Sequence, residues 1–201
     1  MKKFLLIFVL TVFILPTTYS QDDGGASTNE ISFGAKAGVN FASFTGDIDG
    51  ENVDDWEGRT GLNFGGVVNI PISDVFAVQP EVIFSQQGFT ESYMGYDVTG
   101  RFDYLNIPVL ADFTVAEGFS LQAGPQVGFN IKKEIESPDG KEDVEDVESV
   151  SFDGVVGAQY RLPIGLFFQA RFAFGLSNIS SLSEDDVKNS VISISTGWFF
   201  N

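Results

Sequence analysis

The chain has 201 residues, 43% of them apolar, with 28 Asp and Glu against 11 Lys and Arg, a formal charge of −17, and neither Cys nor His. That length suits one domain, or two small ones. The missing residue types exclude His-based triads, His-ligated zinc, disulfides, iron–sulfur clusters and thiolate nucleophiles, and so acidic a chain lacks the basic face that nucleic acid requires.

Met1-Lys2-Lys3 is a basic start, and Phe4–Leu15 is apolar except at Thr11. Pro16 breaks the run, and Thr17-Thr18-Tyr19-Ser20 ends on a small residue before Gln21. This order predicts a secretory signal peptide over residues 1–20. The alternative is a short membrane anchor, but the run falls well below the ~20 residues a spanning helix needs. Loss of Lys2 and Lys3 on cleavage would take the charge from −17 to −19. Residues 21–30 (QDDGGASTNE) are polar and glycine-rich and read as a flexible lead-in. No later stretch is apolar enough for a spanning helix. The mature chain is therefore either soluble in the envelope or crosses a membrane as strands.

From Ile31 the apolar residues recur every second position, the period of a strand and not of a helix. Ile31, Phe33, Ala35, Ala37, Val39 and Phe41 share one face, with Ser32, Lys36 and Asn40 on the other. The pattern returns at Leu62–Ile70, Phe76–Phe84 and Leu105–Phe113, then at Phe119–Ile131, Phe152–Tyr160, Leu166–Leu176 and Ile192–Phe200. Eight strands are expected.

Long connections over Thr45–Arg59, Gly88–Arg101, Lys132–Val150 and Ser177–Asn189 alternate with short ones at Pro71–Asp74, Thr114–Gly118 and Leu162–Gly165. Tight turns at one end and long loops at the other are what transmembrane β-barrels show. A strand of ~12 residues at ~3.3 Å each, tilted about 40°, rises roughly 30 Å, enough for the ~25 Å apolar band. A soluble barrel of the lipocalin kind also alternates, but its outer face carries charge. Here the polar face is Gly, Ser, Asn and Gln, which suits a crowded lumen. Two aromatic girdles are also expected of a membrane barrel. Phe33, Phe76, Phe113, Phe119, Tyr160, Phe168, Trp198 and Phe200 fall toward the turn end, and Phe41, Phe84, Phe129, Phe152 and Phe174 toward the loop end. The fold expected is all-β, an eight-stranded antiparallel up-and-down transmembrane barrel over residues 31–201.

Four segments, AKAGVNFASFTG (35–46), VQPEVIFSQQGF (78–89), YLNIPVLADF (104–113) and LQAGPQVGF (121–129), resemble the PorT-like outer-membrane β-barrel family, small OmpA/OmpX-like barrels of Bacteroidetes-type bacteria. YLNIP and AGPQ are the more specific parts of a likeness that runs from Ile31 to Phe200. The resemblance implies an outer-membrane location in a Gram-negative cell and no catalytic motif. The family's namesake belongs to a secretion and gliding apparatus. The chain departs from the terminal aromatic of many outer-membrane barrels, because Asn201 follows Phe200.

Five charges fall on the polar face. Lys36, Glu81 and Arg171 lie at similar heights on upward strands and should share a level, with Glu81–Arg171 the expected pair. Asp112 and Arg161 lie near the turn end of downward strands. A barrel of eight strands is only wide enough for its own side chains, so these residues predict a salt-bridged plug in preference to a proton or ion path. The first long loop holds Asp47, Asp49, Glu51, Asp54, Asp55 and Glu57, and the third holds eight acidic residues from Glu134 to Glu148 against three lysines. Asp47-x-Asp49-Gly50 places its glycine too early for an EF-hand. A solvated charge run is the plainer reading, with divalent cations bridging loops, or loops and lipopolysaccharide, the sharper one. Trp56, beside Asp54 and Asp55, is a candidate surface-interaction residue.

These features predict a non-enzymatic outer-membrane protein with a structural or surface-interaction role, no cofactor and no metal centre. The alternatives are an accessory subunit of an envelope secretion or transport machine, and a narrow pore. Expected partners are outer-membrane lipid and lipopolysaccharide, the barrel-insertion machinery and an envelope protein, with no nucleic acid.

Overall fold

Each alternating segment becomes one long strand, and the eight run antiparallel in a closed ring. The computed structural model describes residues 30–48, 51–52, 57–93, 96–137, 140–143, 149–177 and 186–200. The wall strands are β1 (Ser32–Ile48), β2 (Glu57–Ser73), β3 (Phe76–Tyr93), β4 (Tyr96–Ala116), β5 (Phe119–Ser137), β6 (Val150–Arg161), β7 (Leu166–Gly175) and β8 (Asp186–Phe200). Each pairs with its sequence neighbour, and β8 closes the ring on β1 in an unbroken register from Phe33↔Phe200 to Asp47↔Asp186. Closure leaves no free edge along the wall.

The two faces separate as the period-two pattern dictates. Phe33, Leu62, Val109, Leu121, Phe152, Phe168 and Ile194 stand outward and exposed. Lys36, Asn63, Gln79, Asn106, Gln122, Asp153, Gln169 and Ser195 point inward and are buried. An outer surface of bare apolar side chains is unfavourable in water and suited to lipid. The shortest wall strand, β7, has 10 residues; at ~3.3 Å per residue and ~40° of tilt it rises about 25 Å, just the height of an apolar belt.

Pairing continues well beyond that belt, which corrects the expected lengths of the long connections. Gly88–Tyr93 and Tyr96–Arg101 are wall and not loop, since β3 and β4 remain paired out to Tyr93↔Tyr96. Lys132–Glu136 stays in register with Asp103–Thr99, and Thr45–Asp47 with Lys188–Asp186. Two short strands, Glu51–Asn52 and Gly140–Asp143, fold back on the ends of β1 and β5. Above the bilayer both faces of a strand meet water, so the apolar alternation stops while the backbone hydrogen bonding does not. Hydropathy marked the membrane-height part of each strand and missed the rest.

At the opposite end the turns are tight, and two of them need glycine. Gly118 has φ +72° and Gly165 φ +91°, in the left-handed region that L side chains rarely adopt. A Cβ on Gly118 would also come within 2.6 Å of the Arg161 carbonyl oxygen, close to where the Arg161 N–H donates to the Gly118 carbonyl at 2.7 Å.

Three prolines interrupt the wall along a diagonal. The β2–β3 register lapses between Val67↔Glu81 and Ile70↔Val78, opposite Pro80. The β3–β4 register lapses between Pro80↔Val109 and Ile83↔Asn106, opposite Pro108. The β4–β5 register lapses between Pro108↔Gln126 and Ala111↔Ala123, opposite Pro125. Proline has no N–H to give to the ladder, and the three breaks step across adjacent strands. The same prolines sit in the segments VQPEV, YLNIP and AGPQ. Backbone amides flanking this seam are expected to exchange with solvent deuterium faster than those of the continuous β1–β8 seam, read residue by residue by NMR. Equal protection along both seams would contradict the assignment.

Candidate functional site

The inward face of a narrow barrel forces side chains from opposite walls into contact, and the lumen is filled in three layers. Midway from the turn end, Glu81 on β3 faces Lys36 on β1 and Arg171 on β7. The Arg171 guanidinium donates to both Glu81 carboxylate oxygens, from Nη1 at 2.7 Å and Nη2 at 2.6 Å. Lys36 Nζ donates to Glu81 Oε2 at 2.8 Å and to Gln169 Oε1 at 2.8 Å. All three charged side chains are buried. The forked guanidinium matches the carboxylate two bonds to two, the geometry that makes such pairs strong.

Glutamines tie this core to the wall. Gln79 Nε2 donates to Glu81 Oε1 at 2.7 Å, and Asn69 Nδ2 to Gln79 Oε1 at 3.1 Å. Gln122 Oε1 accepts from Arg171 Nη2 at 2.8 Å and from Gln169 Nε2 at 3.0 Å. Gln122 Nε2 donates to Asp112, which also accepts from Ser120 Oγ at 3.1 Å. Asp112 thus joins the plug through Gln122. Lys36, Arg171, Glu81 and Asp112 together carry no net charge.

Below lies an apolar floor of Val67, Phe167 and Phe199, each no more than 2% exposed. The Phe167 and Phe199 rings stand 4.8 Å apart. The Arg161 guanidinium lies 4.4 Å from the centre of the Phe199 ring, a cation–π distance, and its Nη2 donates to Ser32 Oγ at 3.4 Å. Arg161 therefore caps the floor and stands apart from the Lys36–Glu81–Arg171 centre.

Above the charged layer the lumen is lined by amides and hydroxyls. Asn40 Nδ2 donates to Ser85 Oγ at 2.8 Å, Asn63 Nδ2 to Asn40 Oδ1 at 2.7 Å, and Ser195 Oγ to Asn63 Oδ1 at 2.9 Å. A cavity of about 40 Å³ remains in this layer. Phe89 and Phe102 stack at 6.3 Å near the loop end. At the loop end of β4 and β5, Arg101 pairs with Glu136 at 2.5 Å and Lys132 with Glu134 at 3.3 Å.

Of the residues singled out from sequence, the fold brings Lys36, Glu81 and Arg171 into direct contact, links Asp112 through Gln122, and sends Arg161 to the floor. Trp56, Asp54 and Asp55 lie outside the described residues, as do Asp49 and, in the third loop, Asp139, Glu145, Asp146 and Glu148. Sequence reasoning passed over Gln79, Gln122, Gln159 and Gln169, the connectors of the plug. Their signal was available, since all four occupy inward positions of the period-two pattern. It also passed over Phe167 and Phe199, whose inward register breaks the rule that aromatics face lipid. Among the described residues no three acidic side chains converge as a multi-carboxylate metal site.

A closed ring of eight strands, an apolar outer belt and a lumen packed with its own polar side chains describe one kind of molecule. The outer membrane protein beta-barrel domain family matches residues 19–181. The chain belongs to that family. Solved outer-membrane barrels share its architecture. The attachment invasion locus protein Ail of Yersinia pestis, crystallised with the heparin analogue sucrose octasulfate, superposes with a TM-score of 0.54 at 20% identity, over 85% of this chain and 99% of Ail. Neisserial surface protein A superposes with a TM-score of 0.61 at 11% identity, over 85% of this chain and 99% of its own. Identities this low speak for the fold alone. No curated protein matches the chain in sequence.

Proposed function

We propose that this outer-membrane barrel is a non-enzymatic structural and surface-interaction protein, delivered by a cleaved signal peptide over residues 1–20, that presents its acidic loops outside the cell. One observation carries the reading: the lumen is closed at mid-height by the Lys36–Glu81–Arg171 plug and at the turn end by Phe167 and Phe199. A barrel closed twice over conducts little, which leaves its outer belt and its loop end as the surfaces that can act. Outer-membrane lipid and lipopolysaccharide surround the belt, the insertion machinery places it there, and an envelope or external partner meets the loops.

Ail, of the same fold, is recorded with a polyanion. A chain of charge −17 repels such a ligand, so the partner that fits these loops is cationic, or is anionic and bridged by cations. The resemblance of YLNIP and AGPQ to PorT-like barrels supports a second reading, an accessory subunit of an envelope secretion machine.

Purified barrel in planar lipid bilayers is expected to show no discrete conductance steps, while cells lacking residues 138–148, between β5 and β6, lose adhesion to cationic surfaces. Steps that vanish in Arg171→Ala would replace this reading with the narrow pore. Recovery of a stoichiometric envelope complex by cross-linking, with adhesion unchanged by the loop deletion, would favour the accessory subunit.

A further inference from the structure

The upper layer of the lumen holds a buried carboxyl group that no Lys or Arg of the described residues pairs. Asp153 on β6 is 5% exposed, and its Oδ2 accepts from Gln126 Nε2 at 3.0 Å and Ser151 Oγ at 3.2 Å. Both donors are neutral. Among the described residues no Lys or Arg forms an ion pair with it. Lys36 and Arg171 of the plug both line the same cavity, and Arg171 is paired in register with Gly157, four residues along β6 from Asp153, or about 13 Å of strand. Arg171 and Lys36 are in any case balanced by Glu81 and Asp112. The remaining titratable neighbour, Tyr104, is a neutral phenol. A buried carboxylate without a counter-charge is costly in any fold.

Two further buried oxygens face the same deficit. Asn106 and Asn189 are each 6% exposed, both line the cavity that Asp153 lines, and the Oδ1 atom of each accepts no hydrogen bond. The orientation of Asn189 is set by its neighbours. Gln87 Nε2 donates to Ser85 Oγ at 3.0 Å, which turns Gln87 Oε1 toward Asn189, so Asn189 must present its Nδ2 there and keep its Oδ1 free. Glycine provides the space. Gly175 pairs with Asp153, and a Cβ on it would come within 2.9 Å of the Asn189 backbone nitrogen. Gly128 pairs with both Asn106 and Ser151, and a Cβ there would lie 2.8 Å from Asn106 Oδ1.

We propose that the cavity bounded by Asp153, Asn106 and Asn189 is a binding site for a single monovalent inorganic cation, Na⁺ or K⁺ in class. The carboxylate of Asp153 and the free Oδ1 atoms of Asn106 and Asn189 are hard oxygen donors, which suit a hard cation. One carboxylate among neutral oxygens balances one positive charge and falls short of the several carboxylates a calcium site gathers. A volume of about 40 Å³ is more than a single water needs, so a small cation can enter with part of its hydration shell. The site lies on the loop side of the neutral plug, which separates it from the turn end. It is thus a structural ion site of the upper lumen and not a station on a path.

The test uses the full barrel in zwitterionic detergent, with choline chloride replaced stepwise by NaCl or KCl at constant ionic strength. The unfolding temperature is expected to rise saturably, by about 3 °C or more, in the small cation and not in choline. Asp153→Asn should abolish the dependence while the unboiled protein keeps its folded mobility on a gel. Asn106→Ala, which leaves the charge in place, should raise the half-saturating concentration by about tenfold or more. The acidic loops also attract cations, and persistence of the full dependence in Asp153→Asn would assign it to them and overturn the proposal. Equal unfolding temperatures in choline and sodium or potassium, or a response to calcium alone, would overturn it as well. If Asp153→Asn does not fold, the shifted midpoint of Asn106→Ala carries the test alone.

Discussion

Glu81→Ala is expected to destabilise the barrel by about 3–5 kcal/mol, the range found when one partner of a buried ion pair is removed. Glu81 takes bonds from Lys36, Arg171 and Gln79 at 2.6–2.8 Å. Its loss strands two like charges in a lumen closed to water. Glu81→Gln keeps two polar atoms in place but removes the charge, and it should fall between wild type and alanine. Joint replacement of Lys36, Glu81 and Arg171 by Met, Leu and Met should recover most of the loss, because apolar residues of similar volume often replace buried ion pairs without penalty. Urea unfolding in lipid vesicles, followed by tryptophan fluorescence and gel mobility, measures all three. A Glu81→Ala variant within 1 kcal/mol of wild type would show that the plug does not bear on stability. The expected recovery also states what the plug does: it specifies how opposite walls meet more than it adds net stability.

The second large effect lies on the outside. Ile194 on β8 stands between Val39 of β1 and Ala170 of β7 and is 55% exposed on the outward face. Ile194→Arg should cost about 2–4 kcal/mol near the middle of a bilayer. The same substitution on a water-facing surface would be close to neutral. Refolding into vesicles of the variant and wild type, titrated with urea, separates the two cases. A neutral result would mean that the outward belt does not face lipid. The fold would then need another explanation for so many exposed phenylalanines.

Strand identity and facing were legible in the chain because they are local. A side chain in a strand points opposite to its neighbours whatever the rest of the molecule does, so Lys36, Glu81 and Arg171 could be assigned inward from the residues on either side. Alternation also located all eight wall strands. It failed where its cause disappears. Beyond the bilayer Gly88–Tyr93 and Tyr96–Arg101 remain paired as wall, but with water on both faces they carry no apolar rhythm to read.

The partners inside the ring were not legible to the same degree. Similar heights along upward strands placed Glu81 near Arg171, yet the same reasoning could not find Lys36 bonded to Gln169, 133 residues away, or Asn189 bonded to Gln87 across 102. Strand pairing sets which neighbours are adjacent. Ring closure and the stagger of the strands decide which residues face one another across the lumen. Arg161 shows the difference. Its inward direction and its place near the turn end follow from the chain, but its seat over Phe199 exists only because β8 returns to close on β1 and brings that ring beneath β6.

Period, charge and turn spacing by themselves determined that this protein is a ring of eight strands with an apolar exterior and a polar, crowded lumen. Those features depend on side-chain direction and on whether a residue prefers lipid or water, and both are properties of short segments. The tertiary structure alone decided that the lumen is layered into floor, neutral plug and polar cavity, and that Asp153 stands there in no ion pair with a Lys or Arg of the described residues. Each of these is a relation between strands distant in sequence, and it arises only when the ring closes at one register.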